Sequence, residues 1–336
     1  MTVADFFPEK CDFSPEGVVL VTGGAGFIGS ALVETLLSKG CRVRCLDNFS
    51  TGFRKNIEQF MKNPDFELLE GDIRSVADCS KAVENVEYII HEAALGSVPR
   101  SIAEPGTSVA VNVAGTVNLF DAARRAGVRR IAYASSSSVY GDDPSAEKIE
   151  HRTGKVLSPY AASKAACELF AENFGKVYGL EIVGLRYFNV FGMRQNPAGA
   201  YAAVIPKFAQ ALLEHRSPVI NGDGSISRDF TFVGNVVKAN ILALSVPGAA
   251  GNVFNVGCGR SFDLNTLFTA LRKALAEYDP EIAGIEPVYG PERPGDVRFS
   301  LASTAKAEKI LGYVPEFSFE EGIAFTAGYY ARGHLE

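Results

Sequence analysis

The apolar run Val18-Val19-Leu20-Val21-Thr22 passes directly into Gly23-Gly24-Ala25-Gly26-Phe27-Ile28-Gly29, and residues 30–39 continue with helical periodicity. A strand, a glycine loop and a helix in immediate succession leave few architectures open. In the spacing G-x-x-G-x-x-G, Gly23 permits the tight turn and Gly26 lets the backbone approach a pyrophosphate. Gly29 lets the helix pack closely on the strand, and the helix N-terminus faces the anion. Phe27 and Ile28 supply the first-turn amides. The placement after a strand and before a helix separates this loop from an ordinary glycine-rich turn and predicts a dinucleotide site.

The same alternation continues along the chain. Val18–Thr22, Arg42–Leu46, Phe66–Glu70, Tyr88–His91 and Arg130–Ser135 read as strands with helical patterns between them, and Glu181–Tyr187 follows a long helix from about Pro159 to Tyr178. Serial βαβ units predict an α/β fold, a Rossmann-type doubly wound parallel sheet, with a smaller C-terminal α/β substrate-binding domain. Beyond Asn189 the pattern loosens into Gly/Pro-punctuated segments. The expected division is an N-terminal extension (1–16), a dinucleotide domain (17–189, with 228–260 returning to it) and a mainly substrate-binding part (190–336).

Composition narrows the partners. A chain of 336 residues with 47% hydrophobic content can bury a large core. A net charge of −6 without a basic run gives nucleic acid or an anionic membrane nothing to bind. No stretch is long and apolar enough to span a bilayer, and Asp5, Glu9 and Asp12 interrupt any signal-peptide pattern. The six cysteines lack metal-ligand or disulfide-frame spacing, so reduced thiols, no metal and a cytoplasmic setting are expected.

The second strand ends at Asp47-Asn48, where a carboxylate can bond adenosine ribose hydroxyls and repel a 2′-phosphate, favouring NAD over NADP. Arg54 and Lys55 lie close enough in sequence to weaken that preference. Asp72 suits either an adenine contact or an ordinary strand-end cap. Further on, Tyr160 and Lys164 stand one turn apart in the long helix, after a strand ending in Ser135-Ser136-Ser137-Ser138-Val139-Tyr140-Gly141.

With these motifs together, the chain resembles the extended short-chain dehydrogenase/reductases of the UDP-glucose and UDP-N-acetylglucosamine 4-epimerase type over nearly its whole length. The resemblance implies tightly bound NAD, held by Gly23, Gly26, Phe27, Ile28, Gly29, Asp47, Asn48, Thr51, Gly52, Asp72, Ile73, Ala93, Ala94, Asn112, Tyr160, Lys164 and Tyr187. It makes Tyr160 the base. A phenol ordinarily titrates near ~10, so such a base needs a cation beside it, and Lys164 and the nicotinamide would supply one. Ser136 would bond the sugar 4-hydroxyl and relay its proton. The implied cycle is proton removal, hydride transfer from C4 to NAD, rotation of the 4-keto sugar and return of hydride to its other face. Relatives that dehydrate or decarboxylate carry acidic groups just before Val-Tyr-Gly, whereas here those places hold Ser137 and Ser138. Inversion is what remains.

For the UDP-sugar the resemblance implies Gly96, Ser97, Ser136, Ser137, Asn189, Gln195, Ala203, Val204, Val219, Asn221, Arg228, Arg293, Asp296 and Ser300. Arg228 and Arg293 suit a diphosphate. Tyr187 and Phe188 either line the nicotinamide side or pack the core. Members restricted to plain hexoses carry Tyr at the place of Ser300, so a small Ser leaves room for a 2-acetamido group. Interconversion of UDP-N-acetylglucosamine and UDP-N-acetylgalactosamine is therefore expected. A UDP-glucuronate or UDP-N-acetylglucosaminuronate 4-epimerase is the rival, with Arg100 or Arg194 as carboxylate donor; a non-catalytic NAD-binding regulator is the rival outside enzymes. Helices 106–126 and 159–178 occupy the place that family homodimers use for a four-helix interface.

Overall fold

A computed structural model describes residues 3–8, 11, 13–197, 203–292 and 299–333. The central sheet has seven strands: β1 Val18–Thr22, β2 Arg42–Asp47, β3 Phe66–Glu70, β4 Val86–His91, β5 Arg130–Ser136, β6 Glu181–Tyr187 and β7 Val253–Val256. Their spatial order is β7-β6-β5-β4-β1-β2-β3 and every pairing is parallel. The chain thus winds outward in one direction from β1 and then in the other from β4. Where the order reverses, the loops leaving β1 and β4 part and open a crevice at the carboxyl ends of the strands.

Side-chain alternation explains why helices cover both faces. Val19 and Val21 join one buried cluster with Leu32 and Leu36 of helix Phe27–Ser38 and with Val236 and Val237 of helix Val233–Ser245. Leu20, Ile89 and Ile131 point the other way, into a cluster with Leu119, Phe120 and Phe174. The expected helix over 106–126 is divided. Pro105–Val109 and Thr116–Ala126 are α-helical, and the turn between them, Ala110–Gly115, is a π-helix.

The remaining strands are short. Phe262–Asp263, Ser227–Arg228, Phe299–Ala302 and Glu147–Lys148 form a four-stranded sheet, with helices Val204–Leu213, Leu264–Ala276 and Phe319–Ala331 nearby in the chain. Arg228 and Ser300 are paired in register on neighbouring strands of that sheet. The buried Asp229 carboxylate accepts from the amides of Cys258, Gly259 and Ala302, fastening this sheet to the exit of β7, and burial pushes its titration up to about 6.

Phe6 and Phe13 anchor the segment ahead of β1 to the core. Phe6 is fully buried in edge-on contact with Phe232, Phe317 and Phe325, and Phe13 packs on Tyr88. All six cysteines are free thiols. No helix among the described residues is long and apolar enough to cross a membrane.

Candidate functional site

A cavity of about 520 Å³ occupies the crevice at the sheet's switch point. Six of the seven central strands bring residues to it: Gly23 after β1, Asp47 and Asn48 at the end of β2, Asp72 after β3, Glu92 after β4, Ser136 on β5 and Tyr187 on β6.

The glycine loop forms its floor. Gly23 adopts the left-handed conformation (φ 68°). Gly29 lies so close beneath it that a side-chain carbon there would stand 2.1 Å from the Gly23 carbonyl oxygen. At Gly26 the added carbon would meet only that same oxygen, at 3.1 Å, because the space above is open. Gly26 also caps helix Phe27–Ser38 without any side-chain hydrogen bond, so the first-turn amides face the cavity bare. These features fit a pyrophosphate.

Asp47 stands across from the loop, its Oδ2 accepting from Ala25 N at 2.9 Å and its Oδ1 from Phe49 N at 2.8 Å. Burial raises its titration, and the backbone donors oppose that. Arg54 is paired with Glu70 and stacked on Phe49, and neither Arg54 nor Lys55 lines the cavity. Both readings of Asp72 have support: its Oδ1 accepts from Arg74 N and its carboxylate is gripped by the Arg74 side chain and by Asn48, yet it also lines the cavity. Those partners, Arg74 first, hold its titration down to about 2. Helix Val76–Ala82 is capped by Ser75, not by Asp72.

At the other end stand Tyr160 and Lys164. Pro159 opens helix Pro159–Tyr178, the Ser158 hydroxyl accepts from Ala161 N, and Tyr160 N donates to Ser101 Oγ at 3.0 Å. Lys164 is 5% exposed and donates to the Ala134 carbonyl at 2.7 Å, tying the helix to the end of β5. Ser136 Oγ accepts from Ser138 N at 3.2 Å, which leaves its own hydrogen for another acceptor. Behind them, Glu168 accepts from Ser135 Oγ at 2.5 Å and from Arg186 through two bonds, locking β5, β6 and the long helix together.

The structure brings Gly23, Gly26, Phe27, Ile28, Gly29, Asp47, Asn48, Thr51, Gly52, Asp72, Ile73, Ala93, Ala94, Gly96, Ser136, Ser137, Tyr160, Lys164, Tyr187, Asn189 and Gln195 onto one wall. Asn112 is not among the residues that line the cavity. It is 1% exposed, and its amide is fully used: Oδ1 accepts from Leu95 N, while Nδ2 donates to Leu95 O and Ser163 Oγ. It lies in the π turn and ties the loop at Leu95 to the long helix at Ser163. Ser97 caps helix Val98–Ala103. Ala203, Val204, Val219, Asn221, Arg228 and Ser300 lie off this wall. Arg293 and Asp296 fall outside the described residues. Tyr187 lines the cavity while 8% exposed, so it is both wall and core, whereas Phe188 is core alone.

One titratable residue of the cavity carries no sequence motif. Glu92, half-buried, accepts from the Tyr187 hydroxyl at 2.5 Å, and burial pushes its titration up to about 7. The signal was positional, since the residue after a central strand falls on the crevice rim. Its neighbour His91 is buried between Thr22 and Thr116, and burial, then the charge of Lys164, hold it down to about 3.

Residues 19–257 match the model of the NAD dependent epimerase/dehydratase family. A UDP-glucose 4-epimerase of Mycolicibacterium smegmatis is 40% identical over 93% of this chain and 97% of its own length. A UDP-glucuronate 4-epimerase of Thermodesulfobacterium geofontis is 30% identical over 93% of this chain and 96% of its own. Among solved structures, the UDP-N-acetylglucosamine 4-epimerase of Methanobrevibacter ruminantium M1, in complex with UDP-N-acetylmuramic acid, superposes with a TM-score of 0.88 at 38% identity, covering 95% of this chain and 99% of that one.

Proposed function

Because the chain belongs to the NAD-dependent epimerase/dehydratase family and is a UDP-sugar 4-epimerase, we propose that it interconverts UDP-N-acetylglucosamine and UDP-N-acetylgalactosamine. The observation that carries the choice of sugar is Ser300, a small side chain paired in register with Arg228. A diphosphate held by Arg228 brings the hexose near that strand, where a small side chain admits the acetamido group. The rival uronate reading keeps Arg100 and Arg194 as its candidate donors; the Arg194 side chain is 8% exposed and paired with Glu34 through Nη2, while its Nη1 has no partner among the described residues. The chain being an enzyme, the regulator reading falls away.

The cofactor is NAD, and the bare helix turn, the open space over Gly26 and the Asp47 carboxylate fit it. When bound, it supplies a reversible two-electron oxidation of the sugar at C4. Tyr160 takes the proton of the 4-hydroxyl, relayed through Ser136, and returns it after inversion. Lys164 stands one turn along as the cation that favours a phenolate, and its tether to Ala134 O holds it in place. Asn189 bonds the sugar or its phosphate, Asn221 receives the uracil, and Arg228 and Arg293 grip the diphosphate while the hexose turns. Ser137 and Ser138 offer no acid to protonate a leaving group, so the intermediate goes back to a hexose.

Proton NMR of the anomeric region, with each UDP-sugar in turn, tests the assignment; conversion confined to uronates would overturn it. Ser300→Tyr is expected to lower kcat/KM for the N-acetylated pair roughly 10- to 100-fold more than for UDP-glucose. Equal losses on both would dismiss the gate.

A homodimer through segments 106–126 and 159–178 completes the proposal. Exposed Val109, Leu169, Phe170 and Tyr178 support it, being apolar groups on helices otherwise suited to solvent. Sedimentation should give twice the chain mass and Leu169→Glu should shift the protein toward one chain. A wild-type monomer at micromolar concentration would refute the interface.

A further inference from the structure

Glu92 stands at the reactive end of the cleft, and nothing in the epimerisation chemistry above uses it. Its Oε1 accepts from the Tyr187 hydroxyl at 2.5 Å, and that oxygen accepts in turn from Asn240 Nδ2 at 2.8 Å, on helix Val233–Ser245. The carboxyl is therefore fixed in place by β6 and the helix behind it. Oε2 has no protein donor among the described residues. Lys164 faces the group from the long helix but donates to Ala134 O, so Glu92 is not one half of a salt bridge. The other titratable groups around it are Tyr160 on that helix, Tyr187, whose burial keeps it protonated, and His91, which is held neutral between two threonines.

Resting on the reading of this cleft as the NAD site, we propose that Glu92 is the counter-charge of the nicotinamide ring and sets the balance of oxidised to reduced cofactor on the enzyme. The oxidised ring carries a positive charge that the reduced ring lacks. A carboxylate beside it favours the oxidised form, and a protonated carboxyl does not. By linkage the oxidised ring lowers the titration of Glu92, and reduction of the ring raises it. The two electrons and their hydrogen come from the sugar's carbinol carbon and return to it. The only proton Glu92 exchanges is its own, with solvent. Burial has already brought that titration to about 7, so the bias acts across the neutral range: it is absent at acid pH and full at alkaline pH. An oxidised bias shortens the life of the reduced state, in which a lost keto-sugar would strand the enzyme.

The test is a potentiometric titration of the cofactor in sugar-free holoenzyme, with a mediating dye, from about pH 5 to 9. Beyond the pH dependence of free NAD, the reduced-to-oxidised ratio at fixed potential should fall roughly tenfold as Glu92 ionises. Glu92→Gln should abolish that step and hold roughly tenfold more reduced cofactor at the alkaline end. Tyr187→Phe removes the donor to the carboxylate and should move the step to higher pH. Coincident curves for wild type and Glu92→Gln, a step unmoved by Tyr187→Phe, or a wild type titrating like free NAD would each overturn the proposal. Purified protein that binds no NAD at all would instead refute the reading of the cleft, and the inference with it.

Discussion

Tyr160→Phe is expected to leave NAD in place and to slow epimerisation by about 10³-fold or more. The substitution removes one oxygen and nothing that positions the helix. Pro159, the Ser158 cap and the bond from Tyr160 N to Ser101 Oγ are backbone or neighbouring features that a phenylalanine keeps. The groups proposed to hold the cofactor, Gly26, Asp47 and Lys164, are equally unaffected. A kcat loss with unchanged cofactor content and unchanged UDP-sugar affinity is the signature of a missing base. Cofactor released by denaturation, counted against protein, checks the first half, and turnover by NMR checks the second. Turnover within a few-fold of wild type would sink the mechanism.

Gly29→Ala should be nearly as damaging, by a different route. The added methyl would stand 2.1 Å from the Gly23 carbonyl oxygen and 2.8 Å from the Gly24 α-carbon. Both are backbone atoms of the loop and cannot rotate away, so the loop must lift off the helix. We expect a loss of about 3 kcal/mol or more in stability and protein purified essentially free of NAD. Gly26→Ala separates packing from binding. Its methyl meets only one oxygen, at 3.1 Å, so the variant should fold with near-normal stability while the methyl projects into the cofactor's space. Thermal midpoint and NAD content read the two effects apart. A Gly29→Ala protein retaining stoichiometric NAD would show that the tight helix–strand contact is dispensable.

How far the sequence carried the fold depended on how local each signal was. Val18–Thr22 and Glu181–Tyr187 have the bounds expected of them, because a strand buried on both faces is a short, mostly apolar run. The seventh strand, Val253–Val256, is four residues long and was not marked as a strand. It is defined by pairing with β6 more than by any pattern of its own. The π turn Ala110–Gly115 that divides the expected helix over 106–126 leaves no trace in a periodicity. Tyr160, Lys164 and Ser136 were legible as a spacing. Glu92 was not, since an isolated carboxylate carries no motif; only the sheet order puts it on the same wall as Lys164.

Phe6 has a consequence for how the chain is made. Its aromatic box is closed by Phe317 and Phe325, so Phe6 touches helix Phe319–Ala331 at the far end of the sequence. On a ribosome Phe6 emerges about 300 residues ahead of Phe317 and Phe325 and cannot seat until they have followed. The flank of helix Phe27–Ser38 that the segment covers stays open until then, so residues made early find their partners late.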